Sequence, residues 1–148
     1  MATEVQDHPL DEHELLAIAR FRFALRRFEK TTDAIIRTCG LTPQRYLLLL
    51  MIKGAPDGSE QSTVTELAER LQLAQSTVTE LVSRAEEAGL VERTQSQTDA
   101  RVAYLRVTPE GERRLERSFT GLVTERAQLR DAFAHLDGSD SDVASQSL

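Results

Sequence analysis

Residues 74–88 read AQSTVTELVSRAEEA, and the spacing of their apolar side chains decides the fold. Val78, Leu81, Val82 and Ala85 recur at i, i+3, i+4 and i+7, so a helix here carries one apolar stripe. The opposite face holds Ser76, Thr79, Glu80 and Ser83, with Thr77 and Arg84 at its edges. Such a helix is buried along one side and offers mostly short hydrogen-bonding groups along the other. Short side chains let a helix backbone approach base edges in a DNA major groove. Ser76, Thr77, Thr79, Glu80, Ser83 and Arg84 are therefore the candidate DNA-contacting residues. Base readout is assigned to Ser76, Thr77, Thr79 and Glu80, whose carboxylate suits a hydrogen bond from cytosine N4.

Upstream, TVTELAERLQLA (63–74) begins with Thr63 and Glu66 at capping-box spacing. Val64, Leu67, Ala68 and Leu71 then repeat the apolar stripe over a short helix, and only Gln72, Leu73 and Ala74 separate it from the next. Two short amphipathic helices joined by so tight a turn make a helix-turn-helix, in which the first braces the second against the groove. Taken alone, the pair also fits an αα-hairpin inside any helical domain. Downstream, Gly89 stops the helix, and LVERT (90–94), the turn-forming QSQTDA (95–100) and RVAYLRV (101–107) follow. Ala103, Leu105 and Val107 alternate, so this segment reads as a two-stranded hairpin. A helix-turn-helix followed by a polar-tipped hairpin is a winged helix. Its tip carries Asp99 and Arg101, and a guanidinium there suits the negative potential of a narrow minor groove.

TELAERL (65–71), STVTELVSRAEEAGLVER (76–93) and DARVAYLRVTPEG (99–111) together resemble the MarR family of bacterial transcriptional regulators. The matching wing motif is Asp99-x-Arg101, then a strand, then a helix start at Thr108-x-x-Gly111; the resemblance runs from about Leu15 to Leu136. It implies a mainly α fold with a small β-wing, long N- and C-terminal dimerisation helices, a pseudo-palindromic double-stranded DNA operator as partner, and small aromatic acids as ligands. Three departures stand out. Gln72 occupies a turn position usually filled by Gly, Glu80 one often filled by Arg, and the family's usual last dimerisation helix is missing.

The flanking segments fit that organisation. From Asp11 to Cys39 the chain reads as one long helix. Ile18, Phe21, Leu25, Phe28, Thr32 and Ile35 form its seam, and Leu15, Leu16, Ala19, Phe23 and Ala24 widen the face. Arg20, Arg22, Arg26, Arg27, Lys30 and Arg37 read as its solvated side. Thr42 and Pro43 start a helix, QRYLLLLMIK (44–53), that is apolar nearly all round and belongs in the core. Tyr46 in it reads first as a core tyrosine and second, with Arg20, as lining a ligand cavity. The segment GAPDGSEQS (54–62) is a loop by composition.

Thr108 and Pro109 start a second long helix, with Leu115, Phe119, Leu122, Arg126, Leu129, Phe133 and Leu136 at four-three spacing. Two such seams on a small chain expose more apolar surface than one copy buries, so a two-fold homodimer is expected. The organisation expected is a flexible N-terminus (1–10), one MarR-like domain (11–136) and a disordered tail (137–148). Within the domain, 11–39 and 109–136 are the dimerisation helices and 41–108 the winged-helix region.

The 148 residues, 40% hydrophobic, suit one such unit and leave no room for a catalytic domain beside it. Histidines at 8, 13 and 135 form no metal or catalytic spacing, so neither enzymatic activity nor a cofactor or metal is expected. Cys39 reads as an inert buried thiol, with a redox-sensing regulator as the lesser reading. No signal peptide or membrane span is legible, and a cytoplasmic location is expected. The net charge of −6 opposes nonspecific DNA affinity, which comes from cations neutralising phosphates. It favours the alternative of a winged-helix protein-interaction module that binds no DNA.

Overall fold

The cap residues in the sequence become caps in the three-dimensional fold, a computed structural model that describes residues 9–137. The tail expected to be disordered and most of the N-terminus expected to be flexible lie outside those residues. The elements are α1 (Glu12–Thr38), α2 (Pro43–Lys53), β1 (Gln61–Ser62), α3 (Val64–Leu71), α4 (Gln75–Glu87), β2 (Val91–Gln95), β3 (Ala103–Val107), α5 (Pro109–Gly121) and α6 (Val123–Asp137). Thr42 accepts a hydrogen bond from the Arg45 N–H at 3.2 Å, with Pro43 in the first turn of α2. At α3 both bonds of the capping box form: Glu66 N–H to Thr63 Oγ1 at 3.2 Å, and Thr63 N–H to Glu66 Oε2 at 2.9 Å.

The described residues divide into two compact units, one of residues 33–122 and one of residues 9–32 with 123–137. In the first, Leu48, Leu49 and Ile52 of α2, Leu67 of α3, Val78 and Val82 of α4, Leu90, Leu105 of β3 and Leu122 are all fully buried. Burying each such side chain contributes about 1.5–3 kcal/mol. Α2, apolar nearly all round, thus serves as the central rod on which the winged helix is assembled.

The sheet corrects one expectation. It has three strands in the order β1-β3-β2, both pairings antiparallel, because Gln61 and Ser62 at the end of the expected loop pair with Arg106 and Leu105. Ser62 is fully buried, and Arg70 of α3 donates to its hydroxyl and, at 2.8 Å, to the Met51 carbonyl. That guanidinium ties α2, α3 and β1 together.

A second correction concerns the long C-terminal helix, which divides at Leu122 into α5 and α6. Leu122 has φ −106° and ψ 11° and is fully buried in the first unit, while a Cβ on Gly121 would stand 2.9 Å from Ile35 Cγ2. The close approach to Ile35 favours a glycine, glycine is a poor helix former, and α5 ends there with Leu122 buried.

At the start of α5, Thr108 Oγ1 accepts from the Gly111 N–H at 3.1 Å and donates to the Gly89 carbonyl at 2.6 Å. The Thr108 N–H bonds the Leu90 carbonyl at 3.0 Å. A Cβ on Gly111 would lie 2.4 Å from the Leu90 oxygen and 2.7 Å from Val107 Cγ1. The Thr-x-x-Gly motif is therefore a junction of the end of α4, the end of the wing and the start of α5.

The other unit is built differently. Phe21 and Phe133 meet edge to face with centroids 6.1 Å apart, and the Arg27 guanidinium lies 6.0 Å from the Phe23 centroid. Among its described residues only Thr32 is buried, and Leu15, Leu16, Ile18, Phe23, Val123 and Phe133 are about half exposed or more.

Candidate nucleic-acid interface

Helix α4 sits in the unit as its stripe requires. Val78, Leu81, Val82 and Ala85 are buried, and Ser76, Thr77, Thr79, Glu80, Ser83 and Arg84 are all exposed. Its N-cap is Ala74, whose side chain makes no capping bond, so the first-turn N–H groups have no side-chain acceptor there. Such N–H groups, at the positive end of the helix dipole, suit an anion such as a phosphate. The turn before it is held by Gln72 in the left-handed region, φ 54° and ψ 44°, with its Nε2 donating to the Glu69 carbonyl at 2.6 Å. Gln75 Nε2 reaches Thr65 Oγ1 at 3.4 Å and braces α4 against α3.

Two groups on the exposed face are already engaged. Thr79 Oγ1 donates to the Gln75 carbonyl at 2.9 Å, leaving its lone pairs outward. Glu80 pairs with Arg84 one turn on, Nη2 to Oε1 at 2.5 Å, with both side chains more than 60% exposed. An exposed i,i+4 pair is worth only about 0.3–0.5 kcal/mol, so it breaks readily for a better partner. Even so, it couples the carboxylate assigned to cytosine with the guanidinium beside it.

The wing tip is organised by side chains. Asp99 Oδ1 accepts from the Arg101 N–H at 3.0 Å, and the Val102 N–H closes on the Asp99 carbonyl at 3.0 Å. Ser96 Oγ accepts from the N–H groups of Thr98 and Asp99, each at 3.3 Å. Asp99 thus holds the turn, and the Arg101 side chain projects exposed from it. Ser96 and Gln75 are the contributors that sequence reasoning missed. The Ser-x-x-Asp spacing of 96–99 is a side-chain turn signal that could have found the first.

Charge pairing sets which cations face outward. In residues 41–108, Lys53 pairs with Glu60 and Glu112, Arg70 with Glu66, Arg84 with Glu80, and Arg93 with Glu86. Arg106 donates to Gln61 Oε1, while Arg45 and Arg101 form no ion pair among the described residues. The hydrogen bonds that Lys53 donates to Glu112 and then to Glu60 raise its pKa, and accepting from Lys53 lowers that of Glu60. Among the described residues of 41–108, Arg101 and Arg106 are thus exposed cations in no ion pair, and Arg101 is the one at the wing tip.

Tyr46 is 8% exposed and packs in the hydrophobic core, and Arg20 is exposed on α1. Neither is among the residues lining two cavities of the described residues. One of these, about 380 Å³, is bounded by Phe23, Arg27, Phe28, Glu125 and Leu129; another, about 480 Å³, lies between α2 and α5. Cys39 is buried and carries a free thiol. Among the described residues no cluster of His, Cys, Asp and Glu could hold a metal, and no helix is long and apolar enough to cross a membrane.

The arrangement of α3, α4 and the β2–β3 wing defines a winged helix-turn-helix protein. Residues 40–102 match the family model described as MarR family. A MarR family protein from Bacillus stearothermophilus is 26% identical with a TM-score of 0.65, the match covering 90% of this chain and 86% of that one. The M. tuberculosis transcriptional regulator MOSR, solved in complex with DNA, is 25% identical with a TM-score of 0.58, covering 74% and 77%. A mutant of MarR from E. coli, complexed with operator DNA, shares the fold at 19% identity and a TM-score of 0.66, covering 86% and 94%. A comparison with curated protein sequences found no match. Through its winged-helix region, residues 40–102, this chain is similar to the MarR family of transcriptional regulators.

Proposed function

We propose that the protein is a homodimeric, sequence-specific regulator of transcription that binds double-stranded DNA and has no enzymatic role. The observation that carries this reading is α4: its apolar stripe is spent on the core while six hydrogen-bonding side chains, Ser76 to Arg84, stand exposed on the rest of its surface. Ser76, Thr77, Thr79 and Glu80 read bases, with Ser83 and Arg84 at the edge of the footprint. Arg101 enters the adjacent minor groove from a turn fixed by Asp99. Two relatives of the same fold are solved with DNA, which supports the assignment.

Dimerisation is supported by the exposed apolar side chains of α1 and α6. Two-fold symmetry then calls for a pseudo-palindromic operator with half-site centres about one helical turn apart. A repressor of this kind is released by a small ligand that binds only the form with displaced recognition helices. A hundredfold preference for that form shifts the equilibrium by about 2.7 kcal/mol.

The test is selection of duplexes from a random pool, followed by anisotropy titrations across salt concentrations. Enrichment of an inverted repeat with a steep salt slope is the expected result. The acidity of the chain and the Glu80–Arg84 pair favour one second reading, a winged-helix module that binds protein. If unlabelled nonspecific DNA competes as well as the selected repeat, that second reading replaces the first.

A further inference from the structure

Arg84 is the one cation on α4, and its guanidinium is paired with Glu80 on the exposed face of that helix. The other carboxylates of α4 stand apart from this pair. Glu86 takes Arg93 of β2, and Glu87, the last residue of the helix, is exposed and joins no ion pair among the described residues. The face assigned to DNA therefore carries one positive charge and cancels it. A cation gains nonspecific affinity by neutralising a phosphate and releasing its counterion. A guanidinium that brings a carboxylate with it neutralises no net charge, and if it turns to a phosphate it leaves that carboxylate uncompensated beside the same polyanion. Both side chains are more than 60% exposed, so the pair is weak in itself; on DNA, what keeps it closed is the want of another partner for Glu80. Cytosine is such a partner, because its N4 amino group donates to a carboxylate in the major groove.

We propose that Glu80 determines specificity by acting against the wrong DNA. Where no base donates to it, Glu80 cancels Arg84 and withholds the only positive charge that α4 has for the backbone. Where a cytosine amino group takes its carboxylate, Arg84 is released to an adjacent phosphate or guanine. The inference rests on α4 being the reader, and it adds that two residues one turn apart read as a unit, with Arg84 a switched contact instead of a fixed one. Discrimination then comes from an unsatisfied group on the wrong sequence as much as from a contact on the right one.

The test is fluorescence anisotropy of the full chain with a nonspecific duplex and with the selected inverted repeat, each across salt concentrations. Glu80→Gln is expected to bind the nonspecific duplex about fivefold more tightly at physiological salt, with a slope of log K against log salt steeper by about 0.9, the signature of one more phosphate neutralised. On the repeat its affinity is expected not to rise, because Arg84 is already free there. Glu87→Gln removes the same charge from the same helix and should change nonspecific binding by less than about twofold, a screened effect of net charge alone. In an Arg84→Ala background the gain from Glu80→Gln should vanish. Equal gains on the two duplexes, equal gains from Glu80→Gln and Glu87→Gln, or a gain that persists without Arg84 each overturn the proposal. The regulator reading fails on a different result, a wild-type protein that binds both duplexes alike; a gain confined to Glu80→Gln on that DNA still upholds the pair. If neither wild type nor Glu80→Gln binds any duplex, the pair restrains nothing and the proposal falls as well.

Discussion

Leu48, Leu67, Val82 and Leu105 are fully buried within residues 33–122, whereas in the other unit Leu15, Phe23, Val123 and Phe133 are each more than half exposed. The two regions have similar amphipathic sequence patterns, so periodicity does not distinguish them. What separates them is whether the chain supplies the covering layer. The winged-helix unit brings α2, α3, α4 and the sheet around one core, and its stability is its own. The flanking helices meet through contacts such as Phe21 with Phe133, and among the described residues Leu15, Leu16, Phe23, Val123 and Phe133 of their apolar faces stay about half exposed or more. One region closes on its own core, and the other, in the function proposed above, is half of an interface.

The largest expected effect breaks that contrast directly. Replacing Phe23 and Phe133 together by Asp places charges on the exposed apolar face and changes no residue of 33–122. The wild-type protein is expected to sediment as a dimer and the double variant as a monomer. Its operator affinity should fall by roughly a hundredfold or more, because linked half-sites bind far more tightly than separate ones. Its thermal unfolding should retain the cooperative transition of the winged-helix unit. A wild-type monomer would end the interface reading and leave the exposed phenylalanines unexplained.

A methyl group suffices to test the finished region. In Gly111→Ala the new Cβ falls 2.4 Å from a backbone oxygen, which cannot move aside as a side chain can. Overpacking of this kind costs about 3 kcal/mol at the upper end of its usual range. Denaturant unfolding should show the loss, and an unchanged midpoint would mean that the junction of α4, the wing and α5 is looser than it looks. Arg101→Ala, by contrast, removes only an exposed side chain, since the Asp99 bond that holds the turn goes to the Arg101 backbone. Stability should be unaltered and operator affinity lower by about 2 kcal/mol, comparable to losing one good base or groove contact. Operator binding equal to wild type at physiological salt would remove Arg101 from the interface.

The reader was the more legible region for the same reason that it is finished. Apolar stripes, capping residues and turn chemistry act locally, so α3, α4, the hairpin and the exposed set from Ser76 to Arg84 followed from spacing alone. What escaped depended on distant partners. Gln61 and Ser62 become a strand only because β3 offers a free edge, and nothing in GAPDGSEQS announces it. The break at Leu122 hides because Leu115, Leu122 and Leu129 keep their spacing straight across it; the close approach at Gly121 is to Ile35, far off in sequence. The Glu80–Arg84 pair is legible as an i,i+4 spacing, but spacing alone does not say that the two exposed side chains meet. The cleft between α2 and α5 depends on the packing of two helices distant in sequence.

The smallest effect concerns Gln72, where the sequence departs from the glycine usual in the resembled family and the structure supplies the reason for that glycine. At φ 54° the backbone lies in the left-handed region, which costs an L-residue with a Cβ roughly 1–2 kcal/mol. Gln72→Gly removes that strain. Against the gain stand the extra freedom of glycine in the unfolded chain, roughly 0.5–1 kcal/mol, and the loss of an exposed hydrogen bond to the Glu69 carbonyl. The balance favours the variant by about 0.5–1 kcal/mol, read as a rise in the melting temperature of the winged-helix transition. Because the turn only joins α3 to α4 and its side chain is exposed, DNA affinity should stay within a factor of about two. A drop in stability would show that the Gln72 side chain holds the turn more strongly than its strain opposes it. A stable variant with altered operator choice would show that residue 72 sets the angle between the helices as well as closing the turn.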